Sequence, residues 1–275
     1  MAIRQLAGRR VLVSGAASGI GLATAQAFAA AGCRVAITDV AEQALEQARG
    51  TIGADCLAVP CDISRPDQVA HLAGKVTEAF GALDVLVNNA GVGFLGDFLH
   101  TPPAAWERIV GINLLGMVQM TRAFLPGMLA HGGDAAVVNV ASALGFTAGP
   151  CLSAYSATKH AVVGLSESLG MELAGTRVSV SIIAPGIIDT AIVKSPAGLA
   201  ETIDDGQLAQ IQKYYREKGC QPEVVANDII AAVLRGRRIV PSGPLARAMV
   251  WMPRISRRLM RAMSLSGAKD VGYWR

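Results

Sequence analysis

The sequence predicts an α/β fold, a doubly wound and mostly parallel sheet with helices on both faces, as a single domain. Two observations carry this. Over the first 190 residues, short apolar segments alternate with longer helical patterns, and that alternation is the signature of a parallel sheet covered on both sides. Several of the short segments are apolar almost throughout, as strands buried on both faces are.

The segments follow in order. Val11–Ser14, Arg34–Asp39, Cys56–Pro60, Asp84–Asn88, Ala135–Ala141 and Val178–Ala184 read as strands. Helical patterns lie near 19–31, 41–50, 65–80, 103–130 and 153–174. After Pro185 the rhythm changes. Residues 190–221 contain Ser195-Pro196, Asp204-Asp205-Gly206 and the polar helical run Gln207 to Lys218, which reads as a lid over the carboxyl ends of the strands. A helix near 222–235 and a strand near 238–241 resume the sheet. The domain is therefore expected over 1–241, with 242–275 as a basic, apolar tail. No repeat or linker divides it.

Composition narrows the function. The chain has 275 residues, 52% hydrophobic and 17% charged, which is globular rather than disordered. The five cysteines, Cys33, Cys56, Cys61, Cys151 and Cys220, include no C-x-x-C pair. Neither a zinc site nor a disulfide framework is expected. Reduced thiols and the lack of a leader pattern at the first residues point to the cytoplasm. No uninterrupted apolar run approaches the ~18 residues of a membrane span. Between Ile229 and Lys269 lie eight Arg, one Lys and no acid, against a whole-chain charge of +4. The remainder is net acidic, so the body is not a nucleic-acid binder.

The chemistry starts at Gly15, Ser18, Gly19 and Gly21, directly between the first strand and its helix. Glycines there allow a tight turn, and a helix N-terminus offers free N–H groups to a pyrophosphate. Asp39 ends the second strand, 24 residues after Gly15. Its carboxylate suits ribose hydroxyls and repels a 2′-phosphate, and no Arg or Lys follows it, so NAD is favoured over NADP. The same aspartate could cap the next helix. Asp62, after the third strand, is open between contacting adenine and capping the helix near Arg65.

Tyr155 and Lys159 are four apart at the start of a helix, so they share a face. A tyrosine titrates near ~10 and needs a cation beside it to act near neutrality. Tyr214 and Lys218 repeat the spacing in the polar lid helix, but follow no strand and read as a solvated face. Ser142, after the fifth strand, can reach a substrate oxygen from the sheet's carboxyl edge.

In this order and spacing the sequence resembles the short-chain dehydrogenases/reductases. The matching pieces are the glycine loop at 14–21, Asn88-Asn89-Ala90-Gly91, Asn113, Ser142, Tyr155-x3-Lys159 and Pro185-Gly186-Ile187-Ile188-Asp189-Thr190, across residues 8–190. The resemblance implies a Rossmann-type fold and a metal-free oxidoreductase acting on an alcohol or ketone. It implies Tyr155 as acid/base and Lys159 as the ribose contact that lowers the Tyr155 pKa. Ser142 would hold the substrate oxygen, and Asn113 would anchor a proton-relaying water. Ile20, Ile63, Asn89, Ala90, Gly91, Pro185, Gly186, Ile188 and Thr190 would complete the NAD cleft. A homotetramer or homodimer is implied as well, and the helices near 104–130 and 153–173 carry apolar residues on more faces than one sheet can cover. The alternatives are an NADPH-linked 3-oxoacyl or carbonyl reductase of the same family, or a non-catalytic nucleotide-binding scaffold. Ser18 and Asp39-Val40 disfavour the first, and the intact Ser142, Tyr155 and Lys159 disfavour the second.

For the substrate, Ser142, Tyr155, Leu144, Cys151, Leu152, Ile187 and Ile192 are expected, with Gly93, Phe94, Leu95, Ala143, Phe146 and Val193 nearby. The set is almost wholly apolar, which suits a hydrophobic secondary alcohol or ketone. In the tail, Leu245, Ala248, Met249, Met252, Ile255, Leu259 and Met263 recur at helical spacing among Arg247, Arg254, Arg257, Arg258 and Arg261. Such a stripe can lie on anionic lipid. Packing on protein, near the substrate entrance or at a subunit contact, is favoured, because Pro253 should split the stripe in two.

Overall fold

A computed structural model describes residues 2–190 and 198–272. Ile192 and Val193, two of the expected substrate contacts, lie outside the described residues, as does part of the lid. Among the described residues seven strands form one sheet in the order β3-β2-β1-β4-β5-β6-β7, every pairing parallel. They are β1 (Arg10–Ser14), β2 (Arg34–Thr38), β3 (Leu57–Ala58), β4 (Val85–Asn88), β5 (Ala135–Val140), β6 (Val178–Pro185) and β7 (Ile239–Ser242). The order reverses between β1 and β4, and a doubly wound sheet opens its ligand crevice at such a switch point.

Strand periodicity sorts the core into two layers. Val11 and Val13 of β1 pack with Phe28 of α1 (Gly19–Ala30), Leu45 of α2 (Glu42–Ile52) and Ile229 of α8 (Pro222–Arg235). Leu12, between them, packs on the other face with Leu72 and Val76 of α3 (Pro66–Phe80) and with Met120 and Phe124 of α5 (Met117–His131). At the strands' amino ends the buried Asp84 accepts hydrogen bonds from Arg9 Nη1 at 2.9 Å and Arg10 Nε at 2.7 Å. Burial pushes its carboxyl up, but these bonds outweigh that and hold it below its ordinary range.

Three departures from expectation have local causes. The third strand is only two residues long, since β3 is an edge paired to β2 alone. The single helix expected over 103–130 is α4 (Pro103–Val110), a π-helical turn over Gly111–Gly116, and α5. Asn113 sits in that wider turn, and its side chain spans across to Val92. Taken whole, Pro103–His131 is long and apolar enough to cross a bilayer, although no unbroken apolar run within it announces this. Here it is a covering layer, with Met117, Met120, Phe124 and Met128 buried.

The tail is two helices, α9 (Ala246–Ile255) and α10 (Arg257–Val271). Pro253 is accommodated inside α9, and the break falls at Ser256, whose extended backbone caps α10 by accepting from Leu259 N. Ala246, Val250, Met260, Ala268 and Val271 are buried, so the pair packs on the body. Val271 joins Leu95 and Ile211 of α7 (Asp205–Lys218) in one cluster.

Candidate active site

A cleft of about 560 Å³ runs along the carboxyl ends of the central strands. Gly15, Ser18, Gly19 and Ile20 form its floor at the head of α1. Gly15 has φ +65°, and a Cβ there would lie 2.6 Å from Ala90 Cα, so only glycine lets the loop approach the strand β4 exit. Ser18 begins α1 without capping it through its side chain, which leaves the first-turn N–H groups for an anion. Gly21, expected to bind cofactor, does not line the cleft. A Cβ there would run into Gly15 O and Asn89 Nδ2, so Gly21 serves the close packing of α1 on the loop.

Asp39 and Asp62 both line the cleft. Asp39 Oδ2 accepts from Ala17 N and Oδ1 from Ala41 N, each at 3.1 Å. It ties the glycine loop to the start of α2 and still faces the cleft. Asp62 Oδ1 accepts from Ser64 N and Ser64 Oγ, closing the turn that leads into α3. Ile63, Ala90, Gly91, Pro185, Gly186, Ile188 and Thr190 line the same wall. Asn89 does so too, while its Nδ2 donates to Ser14 O at 2.9 Å and Gly15 O at 3.1 Å. Ser14 was not anticipated. Its hydroxyl accepts from Asn89 N and Ala90 N and so fixes the β4 exit to the end of β1.

The groups expected to react meet beyond this floor. Ser142 leaves β5 in extended conformation and accepts from Leu144 N at 3.1 Å, capping a short 3-10 turn over Ala143–Gly145. That turn seats against α6 (Ser153–Glu172) because Gly145 has no side chain, and a Cβ there would lie 2.6 Å from Lys159 O. Tyr155 stands in the first turn of α6 and hydrogen-bonds Ser142. Lys159, one turn on and 3% exposed, donates from Nζ to Val140 O at 3.0 Å. All three line the cleft.

Asn113 stands one layer back and is wholly buried. Its Oδ1 accepts from Val92 N at 2.8 Å, and its Nδ2 donates to Val92 O at 2.9 Å and Thr158 Oγ1 at 3.2 Å. Gly91 lies between it and Lys159: a Cβ at Gly91 would be 3.3 Å from Asn113 Oδ1 and 3.5 Å from Lys159 Nζ. Thr158 escaped the sequence reading, though it directly precedes Lys159.

Electrostatics differ from expectation in one respect. Burial pushes the Tyr155 phenol up, with the Ser142 hydrogen bond acting the other way. Burial also pushes the Lys159 ammonium down to about 8. Burial works against the charged form of both groups, and Lys159, at about 8, still carries its charge near neutrality.

Of the expected substrate residues, Leu144, Leu152 and Ile187 line the cleft, as do Gly93, Phe94, Leu95 and Ala143. Cys151 does not. Its backbone is left-handed, φ +60°, and its side chain packs in the Leu95–Ile211–Val271 cluster. Phe146 packs instead against Val162 and Ile182. Burial pushes the Cys33, Cys56 and Cys61 thiols up to about 11, away from reactivity. Among the described residues no group of three or more His, Cys, Asp or Glu stands together as a metal site.

Comparison with known proteins agrees with this geometry. The sequence profile of the short chain dehydrogenase family matches residues 9–197. The chain belongs to that family. It is 35% identical over 92% of its length to the probable oxidoreductase EphD of Mycobacterium tuberculosis, of which it spans only 44%. It is 31% identical to the D-beta-hydroxybutyrate dehydrogenase of Rhizobium meliloti, covering 81% of this chain and 82% of that one. A crystal structure of a short chain dehydrogenase/reductase from Burkholderia phymatum in complex with NAD superposes with a TM-score of 0.85 at 32% identity, over 94% of this chain and 96% of that one.

Proposed function

We propose that this chain is an NAD-dependent oxidoreductase that interconverts a hydrophobic secondary alcohol and its ketone. The observation that carries the reading is the convergence of Ser142, Tyr155 and Lys159 in one cleft with the glycine loop, at the switch point of the sheet. The residues present fit a dinucleotide. Gly15 lets the loop close tightly onto the β4 exit, the head of α1 receives a pyrophosphate, and Asp39 receives the ribose hydroxyls while disfavouring a 2′-phosphate. The NAD-bound neighbour supports the same choice.

In oxidation, Ser142 Oγ and Tyr155 Oη hold the substrate oxygen between them. Tyr155, as its phenolate, removes the hydroxyl proton as the carbinol C–H bond breaks. A nicotinamide held in the cleft would supply the acceptor for that hydride. In reduction the phenol returns its proton to the oxygen. Lys159 sits beside Tyr155, and its positive charge favours the phenolate whenever it is protonated. Asn113, held by Val92 and Thr158, keeps Gly91 and the Val92 backbone in place behind Lys159. The reading is tested by screening secondary alcohols with NAD and following NADH absorbance. No turnover of any alcohol or ketone with either nicotinamide cofactor would overturn it.

The assembly is proposed to be a homodimer or homotetramer. Leu115 at 50% exposure, Leu129 at 40% and Met171 at 70% leave apolar surface on the long helices. Light scattering at micromolar concentration checks this, and a monomer contradicts it.

A further inference from the structure

The α9–α10 pair segregates its side chains. Arg247, Arg254, Arg257, Arg258 and Arg261 are all exposed. None of the tail residues that line the cleft carries a charge. Met249, Met260 and Met263 supply the wall on this side, and Ile211 and Tyr214 of α7 line the cleft with them. Met260 is buried, whereas Leu245 and Met263 are 55% and 39% exposed, which places those two at the mouth.

Met260, Ala268 and Val271 of this wall pack against the body, but at Gly267 it faces open space. Gly267 lies on α10 among the cleft-lining residues, and a Cβ built there meets no atom within 4 Å. Among the described residues the cations that line the cleft come from elsewhere, Arg108 on α4 and Lys159 on α6. An apolar, methionine-rich surface adapts to hydrocarbon of varied shape. The α10 residues that line the cleft offer no charge to a carboxylate or a phosphate, only the Ser264 hydroxyl.

We propose that α7, α9 and α10 form a distal chamber for the hydrocarbon chain of the substrate, so that the tail selects secondary alcohols and ketones with extended aliphatic chains. The proposal rests on the oxidoreductase reading above and adds a binding subsite to it. Gly267 is its natural probe. A phenylalanine there enters open space, improves helix propensity and touches none of the reacting groups.

The test compares alkan-2-ols from butan-2-ol to decan-2-ol with NAD. Each methylene buried in the chamber should raise kcat/KM about fourfold, the equivalent of ~0.8 kcal/mol, until the chamber is full. Gly267→Phe should leave butan-2-ol turnover within about twofold and lower that of decan-2-ol at least about tenfold, since it displaces several methylenes. A kcat/KM independent of chain length overturns the chamber, as does equal loss for short and long alcohols in Gly267→Phe. A second readout needs no turnover. Decan-2-one titrated calorimetrically into the full chain with NAD, a pair that cannot react, should bind to wild type and to Tyr155→Phe, and about tenfold more weakly to Gly267→Phe. If no alcohol is oxidised but this pattern holds, the chamber stands and the oxidoreductase reading falls. Absence of decan-2-one binding to wild type overturns the chamber.

Discussion

Lys159 holds its ammonium 5.7 Å from the centre of the Tyr155 ring, one helical turn along α6, while donating a hydrogen bond to Val140 O. The strand carbonyl fixes the lysine, and the helix fixes the tyrosine beside it. The two side chains are thus placed by different layers of the fold.

Replacement of Tyr155 by phenylalanine removes the proton-transferring oxygen and keeps the ring. Turnover should fall by about 10²–10⁴ or more, in line with loss of general acid–base catalysis. NADH affinity, measured by fluorescence titration, should stay within a few-fold. Retained activity, or an equal loss with Tyr214→Phe, would show that the reacting tyrosine has been misassigned.

The depressed Lys159 pKa sets a pH dependence with a definite sign. Burial lowers it from 10.5 to about 8, so the folded protein sheds this proton before the unfolded chain does. Across that interval the unfolded state binds more protons, and this group's contribution to stability rises with pH. Reduction runs the other way. It needs the charged ammonium and the neutral phenol, and the phenol is pushed up, so kcat/KM for ketone reduction should fall above pH 8. Lys159→Arg should move that fall to higher pH, because a guanidinium keeps its charge beyond about pH 12. A flat wild-type profile to about pH 10, near the free lysine value, would contradict this.

Asp39 should discriminate between the two nicotinamide cofactors. Its carboxylate lines the cleft next to the glycine loop, where a 2′-phosphate would meet like charge. NAD should bind roughly 10- to 100-fold more tightly than NADP, consistent with one close like-charge contact near a protein surface. Asp39→Ala should narrow the ratio, though Ala17 N and Ala41 N then lose their acceptor and some stability goes with them. Equal affinities in the wild-type protein would sink the assignment.

Truncation after Gly243 should destabilise the whole molecule. It removes Val250, Met260 and Val271, each 5% exposed or less. Each such side chain contributes about 1.5–3 kcal/mol when fully buried. A melting temperature lowered by several degrees is expected, together with a raised Michaelis constant for long-chain substrates. An unchanged melting temperature would mean that the tail does not pack on the body.

Much of the fold was legible because its signals are local. Runs such as Val11–Val13 and Ala135–Val140 declare strands buried on both faces, and Gly15 with Gly19 marks the turn between β1 and α1. Tyr155 and Lys159 could be paired from sequence because helical spacing alone puts them on one face. Cys151 could not be placed, since its left-handed backbone depends on the loop around it. Gly21 was misread for the same reason: a glycine that admits a ligand and one that admits a helix look alike in sequence.

The sequence by itself determined the parallel sheet, the glycine turn between β1 and α1, the acidic end of β2 and the serine, tyrosine and lysine that meet at the cleft. Periodicity and turn chemistry act over a few residues and survive without knowledge of the rest. The tertiary structure decided what depends on distant segments coming together. It desolvates Lys159 between β5 and α6, buries Asn113 against Val92 and Thr158, and folds α9 and α10 back so that Met249, Met260 and Met263 wall the cleft. An amphipathic tail has the same pattern whether its apolar face meets lipid, another subunit or its own active site, and only packing over more than a hundred residues of separation distinguishes them.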